Sequence, residues 1–316
     1  MKVLIFGAGA IGSVIGGFLA EAGHKVSFLG RPWHMEKIRR EGLLISGIWG
    51  EHLIKDIEVF NSASEIDGEF DLIILTVKSY NTTEAAKEIS SIFKNDPMVV
   101  HLQNGLGNRE ILLEYIPEER LITGRVIFGV EIKPGEVKVT VSADDTVLGA
   151  TSSAGVKESE IEKIVEIFTS SKIPARSTSN IDKYIWSKVL YNSSLNPLAT
   201  ILECPYGLLA EISHTREIMD QVIEEIYEVG ERIGVEFEPG TSDEYRELFY
   251  SKLIPLTKEH HPSMLQDIRR GRETEIDALC GAISHYGEEY GIETPVNRLL
   301  TSLIKSIEVK VQEEKI

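Results

Sequence analysis

Cysteine is nearly absent from this chain: Cys204 and Cys280 are the only two in 316 residues, with no C-x-x-C pair and no His/Cys cluster. A disulfide framework and a zinc site are therefore not expected. His260 and His261 are adjacent in a loop-like stretch with no further ligands near them, so no metal is expected there either. Positive charge is also in short supply, 33 Lys and Arg against 50 Asp and Glu, for a formal charge of −17. Nucleic acid and anionic membranes both require a basic face, so neither is expected as a partner. An anionic ligand would have to be held by local positive charge, which makes each Lys or Arg beside a motif informative. No apolar run reaches the length of a membrane span. The first strand-like run begins at Lys2, which leaves no room for a signal or transit peptide and makes a cytoplasmic protein the expectation.

Hydrophobic residues at 42% and charged residues at 26% are ordinary for a soluble globular protein. The length is more than one core usually supports, so two domains are expected. Lys2 to Phe6 (KVLIF) is a short β-rich run, GAGAIG follows at Gly7 to Gly12, Ser13 to Glu21 carries helical spacing, and Val26 to Leu29 is apolar again. Strand, glycine turn, helix and strand within about thirty residues form the context in which GxGxxG binds a dinucleotide. Gly7 serves the tight turn, Gly9 lets backbone N–H groups approach a pyrophosphate, and Gly12 lets helix and strand pack closely. An NAD site usually has Asp or Glu about twenty residues beyond the glycines. Here Gly30 and Arg31 stand there instead, and a guanidinium can bind a 2′-phosphate bidentately, so the expected cofactor is NADP; a solvated surface arginine is the plain alternative.

Strand-like and helical stretches keep alternating after Arg31, which predicts a doubly wound parallel sheet. Asp71 to Val77 (DLIILTV) reads as a buried strand ending at Lys78, and Met98 to Leu102 as another, ending in Gln103, Asn104 and Gly105. Ligands of open α/β sheets lie beyond the carboxyl ends of the strands, which puts Lys78 and Asn104 on the rim that carries the glycine turn. Leu121 to Leu148 reads as a β-meander, Ser159 to Ser170 as helix, and Ile173 to Ala175 as strand. Beyond that the spacing is helical almost throughout, over 181–202, 218–233, 244–252, 263–290 and 295–311. The expected fold is an α/β Rossmann-type domain over residues 1–179 and an all-helical domain over 180–316.

In the helical half, Trp186 to Pro197 (WSKVLYNSSLNP) concentrates polar residues in apolar surroundings. Lys188, Asn192 and Asn196 recur at i, i+4 and i+8 and so share one helix face. Pro197 has no N–H to give the carbonyl of Ser193 and is expected to kink the helix. Ser263 with Gln266 reads as a capping box opening a helix whose buried stripe is Leu265, Ile268, Ile276, Leu279 and Ile283. Glu275 falls at the edge of that stripe. On position alone it reads equally as a functional carboxylate and as a structural one paired with Arg269, Arg270 or Arg272.

Taken in this order and spacing, GAGAIG, Arg31, TVKSY around Lys78, LQNG ending at Gly105, WSKVLYNSSLNPL and SMLQDIRRGRETEID resemble the ketopantoate reductase (2-dehydropantoate 2-reductase) family over nearly the whole chain. The resemblance implies NADPH-dependent reduction of a branched 2-oxo acid, in pantothenate and coenzyme A biosynthesis. It implies Lys188 as the general acid and Glu275 as a carboxylate interacting with lysine, substrate and cofactor. It further implies Asn104, Asn192, Asn196 and Ser263 as substrate contacts. The cofactor contacts it implies are Gly7, Ala8, Gly9, Ala10, Ile11, Gly12, Arg31, Lys78, Asn104 and Glu275. Two departures bear on the substrate: Tyr206 and Cys280 stand where the family commonly has Asn. Two other readings remain beside this one, a reductase of a different 2-oxo acid and, in another class, a non-catalytic NADP-binding sensor. The expected partner is a small 2-oxo acid. The oligomeric state is open, a homodimer among the options.

Overall fold

The computed structural model describes residues 1–150 and 155–313. The chain divides into two units, Met1–Gln103 with Asn108–Ile181, and Asn104–Gly107 with Asp182–Ile316. The first unit carries strands β1 (Lys2–Phe6), β2 (Lys25–Leu29), β3 (Leu43–Gly47), β4 (His52–Ile54), β5 (Glu58–Phe60), β6 (Leu72–Leu75), β7 (Met98–His101), β8 (Leu121–Arg125), β9 (Phe128–Lys133), β10 (Glu136–Ser142), β11 (Thr146–Gly149) and β12 (Ala175–Thr178). Its helices are α1 (Ala10–Glu21), α2 (Pro32–Glu41), α3 (Thr82–Ile92), α4 (Asn108–Leu113) and α5 (Glu158–Ser170).

The main sheet runs in the order β12-β11-β8-β7-β6-β1-β2-β5. From β5 to β8 every pairing is parallel, and β11 joins β8 antiparallel. All four residues of β6 (LIIL) are buried, as a strand covered on both faces requires. On β1 the pleat splits the side chains: Val3 and Ile5 join the core containing Ile15, Phe18 and Phe168, while Leu4 and Phe6 join the one containing Ala86, Ile89 and Leu112. Helices α1 and α5 thus cover one face and α3 and α4 the other, the doubly wound arrangement. Residues 121–148 do not form the meander expected from their pattern. β8 and β11 pair in the main sheet, whereas β9 and β10 form a hairpin in a second sheet of order β4-β3-β10-β9. Alternation predicts strands well but is blind to which sheet each strand joins, because partners lie far away in sequence.

The second unit carries α6 (Ile181–Ile201, begun on the last residue of the first unit), α7 (Tyr206–Glu211), α8 (Ser213–Arg232), α9 (Ser242–Leu248), α10 (Ile254–Leu256), α11 (Ser263–Arg269), α12 (Cys280–Tyr290) and α13 (Pro295–Glu313). Helix α8 packs against α7, α12 and α13. Its buried Glu225 accepts hydrogen bonds from the N–H groups of Val296 (2.8 Å) and Asn297 (2.9 Å) and from Asn297 Nδ2 (2.7 Å), capping α13 with a carboxylate.

The single helix expected over 263–290 is two. The amides of Arg270 and Arg272 both turn back to the carbonyl of Asp267, Gly271 adopts φ +61°, and the chain stays irregular until a short 3-10 turn at Ile276–Ala278. Leu265, Ile268, Ile276, Leu279 and Ile283 are all buried even so. Apolar residues on both sides of the break keep helical phase, which is why periodicity reads through it. The capping box is not formed either: Pro262 is the N-cap, Ser263 is already the first helical residue, and no side chain caps the end. Among the described residues no helix is long and apolar enough to cross a membrane, and no three His, Cys, Asp or Glu side chains gather as a metal site.

Candidate active site

In the first unit the glycine turn joins β1 to α1 at the carboxyl edge of the sheet. The amides of Gly7 and Ala8 both donate to the Leu29 carbonyl at the end of β2, at 3.0 and 2.7 Å. Gly7 has φ +98°, a conformation that L side chains rarely adopt. A Cβ on Gly12 would lie 2.4 Å from Thr76 Oγ1 and 2.8 Å from Ile5 Cγ2, so helix and strand pack as closely as the motif requires. A Cβ on Gly9 would meet only the Gly7 carbonyl, at 3.8 Å, so the concave side of the turn stays open. The first intrahelical bond of α1 runs from Ser13 N–H to the Gly9 carbonyl, and the amides of Ala10, Ile11 and Gly12 lead the helix. An open cradle headed by helical N–H groups fits a dinucleotide pyrophosphate.

Arg31 is exposed, extended at φ −71° and ψ 140°, and forms the N-cap of α2 immediately beyond β2. Lys78 is half-buried three residues beyond β6 and starts the 3-10 turn that leads into α3. Two side chains that brace the turn, Thr76 and His34, are not signalled by the motif. Thr76 Oγ1 donates to the Gly7 carbonyl at 2.8 Å. The buried His34 accepts from Gly135 N–H on Nδ1 at 3.0 Å, so its proton sits on Nε2 and is donated to Ser13 Oγ, also at 3.0 Å. The Ser13 hydroxyl in turn donates to the Ala8 carbonyl at 3.3 Å. Burial lowers the His34 pKa to about 4, partly offset by the Lys133 carbonyl, so the ring stays neutral near pH 7 and the relay stays intact.

In the second unit α6 runs unbroken to Ile201, so Lys188, Asn192 and Asn196 share one face. Lys188 and Asn192 are half-buried and Asn196 is buried. The carbonyl of Ser193, which Pro197 leaves unserved within the helix, accepts instead from the Cys280 thiol at 3.7 Å. Burial pushes that thiol up to about 12, so Cys280 is no thiolate at neutral pH. Tyr206, the first residue of α7, donates from its hydroxyl to Asn196 Oδ1 at 2.6 Å. Glu275 is buried just ahead of the 3-10 turn and accepts from Asn104 Nδ2 at 3.0 Å. Sequence reasoning puts Asn104 with the nucleotide domain, but its contacts group it with the second unit. The Leu106 amide donates to the Ala278 carbonyl at 2.8 Å, and a Cβ on Gly105 would come within 2.3 Å of that oxygen. Glu275 is steadied from behind, because Thr274 N–H donates to the buried Glu308 at 2.7 Å. Ser263 is exposed at the start of α11.

Residues 3–153 match the family model described as ketopantoate reductase PanE/ApbA, and residues 180–308 match the model of its C-terminal part. The chain belongs to the ketopantoate reductase family. Curated relatives extend the match over nearly the full length: the 2-dehydropantoate 2-reductase of Aquifex aeolicus is 41% identical, with 98% of this chain and 97% of the relative covered. That of Pyrococcus abyssi is 37% identical over 98% of each. Among solved structures, a PanE/ApbA family ketopantoate reductase from Ralstonia eutropha superposes with a TM-score of 0.88 at 30% identity, covering 99% of this chain and 100% of that one. D-mandelate dehydrogenase, solved with NADH and anilino(oxo)acetate, superposes with a TM-score of 0.87 at 29% identity over 99% and 100% of the two chains. The ketopantoate reductase frame therefore covers both units of this chain.

Proposed function

We propose that this chain reduces 2-dehydropantoate to pantoate with NADPH, in pantothenate and coenzyme A biosynthesis. The observation that carries the reading is the set of polar groups that the second unit itself supplies. One helix face holds Lys188, Asn192 and Asn196, and Asn104 and Glu275 are joined at 3.0 Å across 171 positions of sequence. A binding-only protein has no chemical need for a cation aligned with amides and a buried carboxylate of this kind. Gly7, Ala8, Gly9, Ala10, Ile11 and Gly12 hold the pyrophosphate, Arg31 the 2′-phosphate, and Lys78 the nicotinamide ribose. Asn104 and Glu275 serve both cofactor and substrate. Bound NADPH supplies a hydride to C2 of the 2-oxo acid. Negative charge then develops on the C2 oxygen, and the Lys188 ammonium stabilises it and hands it a proton; solvent afterwards restores the ammonium. Asn192, Asn196 and Ser263 bind the polar groups of the substrate. Side chains of Asn192 and Ser263 make no hydrogen bond among the described residues, which leaves both available to a ligand.

The test is steady-state NADPH oxidation with ketopantoate and a panel of other 2-oxo acids, beside NADH and beside Lys188→Ala. Ketopantoate should be the best substrate, and Lys188→Ala should lose about 10²- to 10⁴-fold in kcat, the usual contribution of a positioned acid. Full activity in Lys188→Ala would remove the lysine from its role. A second reading, reduction of a different 2-oxo acid, is favoured by the likeness to D-mandelate dehydrogenase and by Tyr206; a better substrate than ketopantoate in the panel would establish it. Turnover of none of them would leave the NADP-binding sensor.

A further inference from the structure

An asparagine side chain offers an acceptor oxygen and a donor nitrogen on one planar group, and a half-turn of the amide exchanges them. Unless something else in the protein engages one end, such a residue can greet either a donor or an acceptor on a ligand. Asn196 is engaged. The Tyr206 hydroxyl donates to its Oδ1 at 2.6 Å, with the two residues 3% and 6% exposed. Among the described residues Nδ2 has no partner, and it is not one of the fully enclosed, unsatisfied atoms either. The end of the amide that remains for a ligand is therefore the two N–H donors.

Tyr206 is itself well fixed. Its backbone N–H donates to the His260 carbonyl at 3.1 Å, and the next amide, Gly207, donates to the Lys258 carbonyl at 2.9 Å. Its ring packs edge-on to Tyr191 at 6.1 Å and against His260 at 5.2 Å. A Cβ on Gly207 would come within 3.0 Å of Lys258, so the start of α7 is seated tightly on this stretch. A phenol held at this many points is a poor candidate for reorientation, and among the described residues Asn196 Oδ1 is the one acceptor for its buried O–H, so turning the amide would strand that proton and the bond fixes the amide's direction.

We infer that Tyr206 is a specificity-positioning residue that locks Asn196 as a donor. The substrate group that meets Asn196 is then an acceptor, a carboxylate, carbonyl or ether-like oxygen, and not a group that must donate. This rests on Asn196 lying in the substrate site, as proposed above.

The experiment is a double-mutant cycle of Tyr206→Phe and Asn196→Ala, read as KM and kcat for the best 2-oxo acid and as the dissociation constant for NADPH. Tyr206→Phe removes only the hydroxyl. It should raise KM about five- to tenfold, the usual worth of one neutral hydrogen bond, with kcat and NADPH affinity within twofold. In the Asn196→Ala background the same change should leave KM unmoved, because the group through which it acts is gone. Tyr191→Phe, which deletes a neighbouring hydroxyl bonded to Thr257, should leave KM at the wild-type value and controls for general loosening of this aromatic cluster. Unchanged KM in Tyr206→Phe, or an equal rise in both backgrounds, overturns the inference. Absence of wild-type turnover with every 2-oxo acid instead overturns the reading on which it rests, so the two failures are told apart by the wild-type lane alone.

Discussion

Acidification should loosen the first unit through its buried imidazoles, His101 on β7, which burial pushes down to about 3, and His34, whose share can be isolated by substitution. His34 is 1% exposed, and its folded-state pKa is lowered from 6.5 to about 4. The unfolded state therefore binds a proton between those values that the folded state refuses, and stability rises with pH across this window. The contribution is fully present above pH 6.5 and is lost as pH falls towards 4. At pH 5 the unfolded ring is almost wholly charged and the folded one about a tenth so, which corresponds to a loss of about 2 kcal/mol. Protonation also makes Nδ1 a donor facing the Gly135 amide, and so breaks the relay from the hairpin through Ser13 to the Ala8 carbonyl. The assay is urea unfolding at pH 7.5 and pH 5 for the wild type and for His34→Gln, followed by tryptophan fluorescence. Trp33, in ring contact with His34 at 5.1 Å, and Trp49 both report on this unit. The glutamine variant starts less stable, so the comparison is the pH-dependent loss within each protein, which should be about 2 kcal/mol smaller in the variant. Equal losses would refute the argument, and so would a His34 ring that titrates near 6.5 in the folded protein by NMR.

Three further outcomes follow from the geometry. Arg31→Ala should weaken NADPH binding about 10- to 100-fold, as expected for loss of a charge-assisted hydrogen bond, and weaken NADH binding less than about threefold; equal losses, measured by fluorescence titration, would show that Arg31 does not read the 2′-phosphate. Glu225→Ala strips the acceptor from three N–H groups at the head of α13 and should cost about 3 kcal/mol in denaturant unfolding, with Glu225→Gln intermediate; a change under about 0.5 kcal/mol would mean that water replaces the cap. Cys280, buried and with its pKa raised to about 12, should resist a maleimide under native conditions and react once urea unfolds the chain. Rapid native labelling would contradict the burial and the bond to Ser193.

Most of the backbone was legible because its cues are local. The run LIIL in β6, the glycine spacing and the helical stripes each report the environment of neighbouring residues, and those environments are what the fold supplies. The misreadings came where a local pattern has two three-dimensional solutions. Alternation over 121–148 is satisfied by strands of one sheet or of two. Apolar residues from Leu265 to Ile283 keep phase across a break that Gly271 makes possible but does not announce, since an isolated glycine is tolerated inside helices.

Positions of the site residues on their elements were readable in the same local way: the face shared by Lys188, Asn192 and Asn196 needs only the helical period. What each side chain touches was not. Asn104 with Glu275, Tyr206 with Asn196 and Cys280 with Ser193 are pairings between separate segments, and no periodicity encodes them. The last had half a signal, because Pro197 guarantees an unserved carbonyl at Ser193, and a buried acceptor is almost always met by a donor. That reasoning demands a partner without naming one. Cys280 and Tyr206, which the sequence resemblance singles out as departures, both put their polar hydrogen onto the helix that carries Lys188. Both donors therefore brace α6 along the stretch that carries Asn192 and Asn196, and neither replaces a polar side chain of that face.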